Sequence, residues 1–263
     1  MREGRRTSVR TVELTLLAAF VALIVAAPVT AQPTDPVINE FVANHTGADD
    51  NAFVEAFGDA LTDYSAFTIL EIEGEGTNIG VIDAAIPLGT TDAGGFFLDD
   101  EDMENGTLTI LLVEGFSGST GNDIDTDNDG TIDATFWTRI VDSIAVFDGS
   151  ADDQTYGTTV LSGGFDGVSF TPGGASRIPN GTDTDAVGDW MRNDYDEAGF
   201  PGETGTPDPG EAYNTPGAVN TAVGAADPVI NEFVANHTGA DTEAFIEVFG
   251  TPSTDYSNLT ILE

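Results

Sequence analysis

Beyond residue 31, the apolar residues of this chain come in short runs, each closed within a few positions by Gly, Asp, Asn, Thr or Pro. No stretch keeps an apolar period of 3.6 residues for three turns, so a helical core has nothing to be built from. Residues 37–42, 52–57, 67–70, 95–98, 108–113 and 140–147 read as strands, with shorter candidates at 168–170 and 176–178. Turn dipeptides separate them: Asn105-Gly106, Asp129-Gly130, Asp148-Gly149, Asp166-Gly167 and Asn180-Gly181. Gly after Asn or Asp supplies the positive φ that a tight turn needs. The pattern predicts an all-β sandwich or barrel.

A duplication sets the size of the unit. Residues 35–49, DPVINEFVANHTGAD, recur letter for letter at 227–241, and 28 of the 37 aligned pairs from Asp35/Asp227 to Glu71/Glu263 are identical. A repeat at an offset of 192 residues marks tandem domains rather than a solenoid. Pro- and Gly-rich residues 200–220 close the first module, the small residues 221–226 form a linker, and 227–263 is read as an incomplete second copy. The strands of that copy are expected to have nothing to pair with, and so to be poorly ordered, to pack on the first module, or to be prone to aggregation.

The ends and the charge bear on location. Arg2, Arg5, Arg6 and Arg10 precede an apolar run over residues 16–29, and Val29-Thr30-Ala31 offers small residues for cleavage before Gln32. Residues 1–31 therefore read as a signal peptide, with an uncleaved anchor as the alternative. The expected product is secreted or held at the cell surface. Removing residues 1–31 takes away four of the seven cations and two of the 46 acids, leaving 44 acids against Arg139, Arg177 and Arg192, a formal charge of −41. Such a field repels nucleic acid and anionic membrane surfaces, which bind through positive patches. It suits high ionic strength, as in a salt-loving or marine source, where screening removes self-repulsion. An ordinary acidic secreted protein is the plainer alternative. With no cysteine, disulfides and thiolate metal sites are excluded.

The opening Val37-Ile38-Asn39-Glu40-Phe41, the Phe53-Val54-Glu55 strand and the strand from Phe67 to Glu71 resemble the start of a bacterial lamin tail domain. Its ending is also similar: Gly174-Ala175-Ser176-Arg177-Ile178-Pro179, then Gly181-Thr182-Asp183-Thr184-Asp185, Asp189-Trp190, and residues 214–220, NTPGAVN. The resemblance covers roughly residues 35–220 and restarts at 227. It implies an immunoglobulin-like β-sandwich, here with a long Asp-rich insertion at about 116–138. The resemblance further implies an interaction or attachment module of exported bacterial proteins, of the kind also found with extracellular nucleases.

One motif is chemically specific. Asp125, Asp127 and Asp129 alternate before Gly130, with Thr131 and Asp133 following, in the D-x-D-x-D-G-x-x-D spacing of calcium loops. Carboxylates at alternate positions converge when the chain coils, the Thr131 carbonyl adds an oxygen, and hard oxygens suit Ca²⁺. The predicted metal ligands are Asp125, Asp127, Asp129, Thr131 and Asp133, and the expected cofactor is a structural Ca²⁺. Position twelve, where an EF-hand carries a bidentate Glu, is Phe136, so Asp123 or a remote carboxylate would complete the shell. A merely acidic, solvated loop is the alternative.

No catalytic constellation is legible. His45, the one histidine of the complete module, lies in the polar turn Asn44-His45-Thr46-Gly47 and reads as an exposed turn residue. Glu55 is expected to face solvent between inward Phe residues. Trp137, Trp190, Tyr156 and Tyr195 read as core and corner residues rather than a sugar platform. The leading expectation is a non-catalytic, calcium-stabilised secreted module whose partner is an unknown protein or an extracellular polymer. The alternative is the accessory part of a secreted metal-dependent endonuclease or phosphodiesterase whose catalytic domain lies beyond this chain. A surface protein built of many such modules is a third reading.

Overall fold

The computed structural model describes residues 34–224, 229–235, 245–249 and 261. The expected leader and the end of the expected linker lie outside the described residues. Two five-stranded sheets share a core. The first sheet uses β1 (Val37–Val42), β2 (Phe53–Phe57), β5 (Phe96–Asp99), β9 (Gly174–Arg177) and β10 (Trp190–Arg192), in the order β10-β9-β1-β2-β5. The second uses β3 (Phe67–Glu73), β4 (Ile82–Pro87), β6 (Leu108–Glu114), β7 (Arg139–Phe147) and β8 (Thr159–Ser162), in the order β4-β3-β6-β7-β8. Every pairing is antiparallel except β7 with β8. The fold is all-β, with the two sheets packed as in a β-sandwich.

The core explains why β3 and β6 carry apolar residues at consecutive positions, Ile69-Leu70 and Ile110 to Val113. One face carries Ile69, Ile110 and Leu112, which pack with Ile144 and Val146 against Ile38, Phe41, Val54, Ala175 and Trp190 of the first sheet. The opposite face carries Leu70, Ile72, Leu111 and Val113, and these are buried as well, under Ile124, Ile132, Phe136 and Trp137 of the segment between β6 and β7. That segment is a third layer over the second sheet. Each fully buried Leu or Ile in such a layer is worth roughly 1.5–3 kcal/mol, so the Asp-rich loop is anchored by its own apolar residues. The first sheet is likewise covered on its outside, where Phe200 packs on Val42 and Phe53.

This double coverage overturns two expectations. Glu55 does not face solvent: it is fully buried. His45 is buried rather than exposed, 1% accessible. Residues 168–170 form no strand; Gly164 donates to the Val168 carbonyl in a turn, and Phe170 stands 74% exposed. Three strands missing from the sequence reading, β4, β8 and β10, are short or carry Ala, Pro and Met in place of the usual β formers.

The second copy also departs from expectation. Its strands β11 (Val229–Val234) and β12 (Phe245–Phe249) pair with each other. Their register, Val229↔Phe249 through Val234↔Phe245, repeats that of β1 and β2 pair for pair, including the irregularity at Ile38/Glu40, now at Ile230/Glu232. The side chains that are core in the first hairpin are open here: Ile230, Phe233, Ile246 and Val248 are 44–66% exposed.

Candidate metal centre

The Asp-rich loop is fastened to the start of β4 and to the residues just before it. Ile124 donates to the Gly80 carbonyl (2.8 Å), Gly121 to Ile82 (2.8 Å), and Asp133 back to Ile124 (2.7 Å). Inside this frame Asp125 is fully buried. Its Oδ1 accepts from the Asp129 amide (3.1 Å), and its Oδ2 from the Gly130 amide (2.8 Å) and the Tyr156 hydroxyl (2.8 Å). Gly130 turns at φ +83° and Asn128 at +57°, which folds the loop back over Asp125. Burial pushes the Asp125 carboxyl up, but these hydrogen bonds outweigh it and hold it below the usual carboxylate range.

Of the predicted ligands, Asp125, Asp127 and Asp133 have carboxylate oxygens within 4.8 Å of one another. Asp129 is turned differently: its Oδ1 accepts from the Thr131 amide (2.8 Å). Asp133 Oδ2 takes both the amide (3.2 Å) and the hydroxyl (2.8 Å) of Thr126. Repulsion from Asp129, then burial and the charges of Asp133 and Asp125, raise the Asp127 carboxyl. Three converging carboxylates with an electrostatically strained member fit a divalent cation, which would neutralise them. Phe136, at position twelve, is a core anchor against the second sheet and supplies no oxygen.

The motif residues shared by the two copies have a structural use. Asn39 donates to Glu55 Oε1 (2.8 Å) and accepts from the Gly181 amide (2.9 Å); Gly217 donates to Glu55 Oε2 (2.7 Å). Glu40 accepts from Asn193 (2.8 Å) and from the amide and hydroxyl of Thr215 (2.9 and 2.8 Å). Asn220 closes the set by donating to the carbonyls of Asn39 and Arg177. The opening Ile-Asn-Glu and the closing residues 214–220 thus bind each other. Burial pushes the Glu55 carboxyl to about 8 despite the Asn39 hydrogen bond.

Arg177 is the largest buried polar side chain. Its guanidinium meets Asp142 of β7 through NH2 (3.0 and 3.1 Å) and the Ile38 carbonyl of β1 through Nε (2.8 Å), and lies 4.5 Å from the Trp190 ring centroid. His45 is held equally firmly. Its Nδ1 lies 2.9 Å from Glu197 Oε1, and its Nε2 accepts from the Asn51 amide (3.2 Å), which assigns the proton to Nδ1. Both nitrogens of this ring are thus engaged, and Asp50 and Glu197 bring carboxylate oxygens within 4.8 Å of it and of each other. The four aromatics weighed as a platform are dispersed: Trp190 is in the shared core, Trp137 and Tyr156 are against the Asp loop, and Tyr195 is at the surface. No sequence signal distinguished the buried Arg177 and Glu55 from surface charges.

No protein-family model, curated protein or solved structure matches this chain. Among the described residues, no helix is long and apolar enough to cross a membrane.

Proposed function

We propose that this chain is a secreted, non-catalytic attachment or structural module of the immunoglobulin-like, lamin-tail type, whose Asp-rich layer is pinned by Ca²⁺. The observation that carries the reading is the convergence of Asp125, Asp127 and Asp133 in a loop whose turn, at Gly130, has the calcium-loop spacing. Asp125, Asp127 and Asp133 would hold the ion, with the Thr131 carbonyl the next oxygen in the series. The cation supplies charge neutralisation, locking the loop over the outer face of β3 and β6. His45, Arg177, Glu40 and Glu55 are engaged in internal hydrogen bonds that hold the module closed, which favours a structural role for these groups.

The test is a thermal melt of the full chain in calcium, in magnesium at equal ionic strength, and in chelator. At 100 times Kd a bound ion adds about 2.7 kcal/mol, and Asp127→Asn should abolish the calcium-specific part of the shift. Equal shifts in magnesium, or a calcium shift untouched by Asp127→Asn, would show only screening of the −41 charge of residues 32–263.

A further inference from the structure

A cleft of about 610 Å³ lies away from the Asp loop, between the segment before β9, the end of β10 and residues 208–211. Its size falls in the roughly 300–1,000 Å³ range of small-ligand sites. Phe170, 74% exposed, Tyr195, 48% exposed, and Val168 form apolar walls, and Asp196, Asp208 and Glu211 are the acids of its lining.

The charges are unbalanced. Arg192 is the cation of the lining, but its Nε (2.8 Å) and NH2 (3.1 Å) are taken by Asp166, and NH2 also donates to the Phe170 carbonyl (2.8 Å). Asp194, beneath the cleft, has both oxygens filled by the amides of Asp196, Ala198 and Asp208. Asp208 and Glu211 bring carboxylate oxygens within 4.8 Å of it and of each other. Glu211 Oε2 is shut off from water and meets no donor. Burial raises this carboxyl to about 7; Arg192 opposes the rise, and Asp194, Asp208 and Asp166 add to it.

We propose that the cleft binds a small alkylammonium cation, its N–H groups meeting Glu211 and Asp208 and its aliphatic stem lying against Phe170 and Tyr195. The surplus of carboxylates repels anions. A divalent metal needs six or more oxygens, whereas the walls of this cleft are largely apolar and aromatic, with Val168, Phe170 and Tyr195 among them. Aromatic faces attract organic cations, and the carboxylates of Asp208 and Glu211 at the cleft accept hydrogen bonds that a quaternary ammonium cannot donate.

The full chain is titrated with n-butylammonium chloride at constant ionic strength, followed by calorimetry and amide NMR. Saturable binding is expected, with shifts at residues 168–173 and 192–196. Glu211→Gln should weaken it at least tenfold, and Phe170→Ala, at an exposed side chain that leaves the core intact, several-fold. Ionising Glu211 to receive the cation makes binding about tenfold tighter near pH 8 than near pH 6. Tetramethylammonium and neutral butanol should bind at least tenfold more weakly. The proposal fails if no saturable binding appears, if butanol binds equally, or if Glu211→Gln and Phe170→Ala both leave it unchanged. It also fails if only Ca²⁺ binds in a Glu211-dependent manner, which would make this a metal site.

Discussion

Replacing Arg177 with Met should be among the most damaging single changes in the first module. The side chain is 1% accessible, and it ties three strands: β9, which carries it, β1 through the Ile38 carbonyl, and β7 through Asp142. Met keeps most of the volume and the contact with Trp190 but leaves Asp142 buried without its cation. Burial already raises the Asp142 carboxyl, and Arg177, followed by the amides of Ile38 and Ser143, opposes the rise. Removing one partner of a buried ion pair costs about 3–5 kcal/mol. For a domain of this size that lowers the melting temperature by roughly 6–20 °C. Urea unfolding followed by tryptophan fluorescence reads the loss, since Trp190 lies beneath the guanidinium. The double variant Arg177→Met/Asp142→Asn should recover at least about 1.5 kcal/mol, because the most deeply buried of the stranded charges is gone; Asp183 and Asp189, which also pair with Arg177, keep the recovery partial. A loss below about 1 kcal/mol, or no recovery in the double variant, would refute the cross-sheet tie.

Acid should favour the fold over alkali. Glu71 is pushed from its ordinary value to about 8, by burial first and then by Asp83, Glu104 and Glu101. Its folded form therefore keeps a proton that the unfolded chain releases above about pH 4.5. The stabilisation is complete below that pH and is lost as pH rises through 8, at up to about 1.4 kcal/mol per unit. Urea midpoints near pH 5 and near pH 8.5 at fixed ionic strength should differ in that direction, and Glu71→Gln should flatten the slope; a flat wild-type profile contradicts it. Tyr156→Phe removes the hydroxyl that donates to Asp125, costing about 1 kcal/mol in chelator, measured by the same unfolding. A chain stopped after Gly224 should melt unchanged but scatter less light at high concentration, because the open apolar face of β11 and β12 is gone.

The all-β class was legible because β1, β2, β3, β6 and β7 carry dense β-branched and aromatic runs, whereas the short or Ala-, Pro- and Met-bearing β4, β8 and β10 were not. What misled was coverage. Strand alternation assigns one face to water, yet the first sheet is covered outside by residues 194–220, and this buried Glu55, Glu40 and His45. Coverage of that kind depends on contacts over 100 residues apart, such as Thr215 with Glu40, and leaves no local periodicity. The Asp loop was legible as spacing, down to the turn at Gly130. Its frame was not, since the fastening to Gly80 and Ile82 runs through backbone groups that any sequence possesses. The cleft by Glu211 gave no signal either, because its walls come from separate segments joined only by the fold.

The clasp between the opening Asn39, Glu40 and Glu55 and the closing Thr215, Gly217 and Asn220 also orders events in time. These partners are separated by 162 to 181 residues. Asn39 and Glu55 can pair early, while Glu40 and the second Glu55 oxygen must wait until almost the whole module has been made. The second hairpin carries the same Asn and Glu at 231, 232 and 247 and competes for the same closing segment. It emerges only after residue 220, when the first hairpin has already had its chance. Vectorial delivery, N-terminus first, thus protects a tandem array of near-identical openings from clasping the wrong neighbour. Refolding from denaturant, where both hairpins compete at once, offers no such protection.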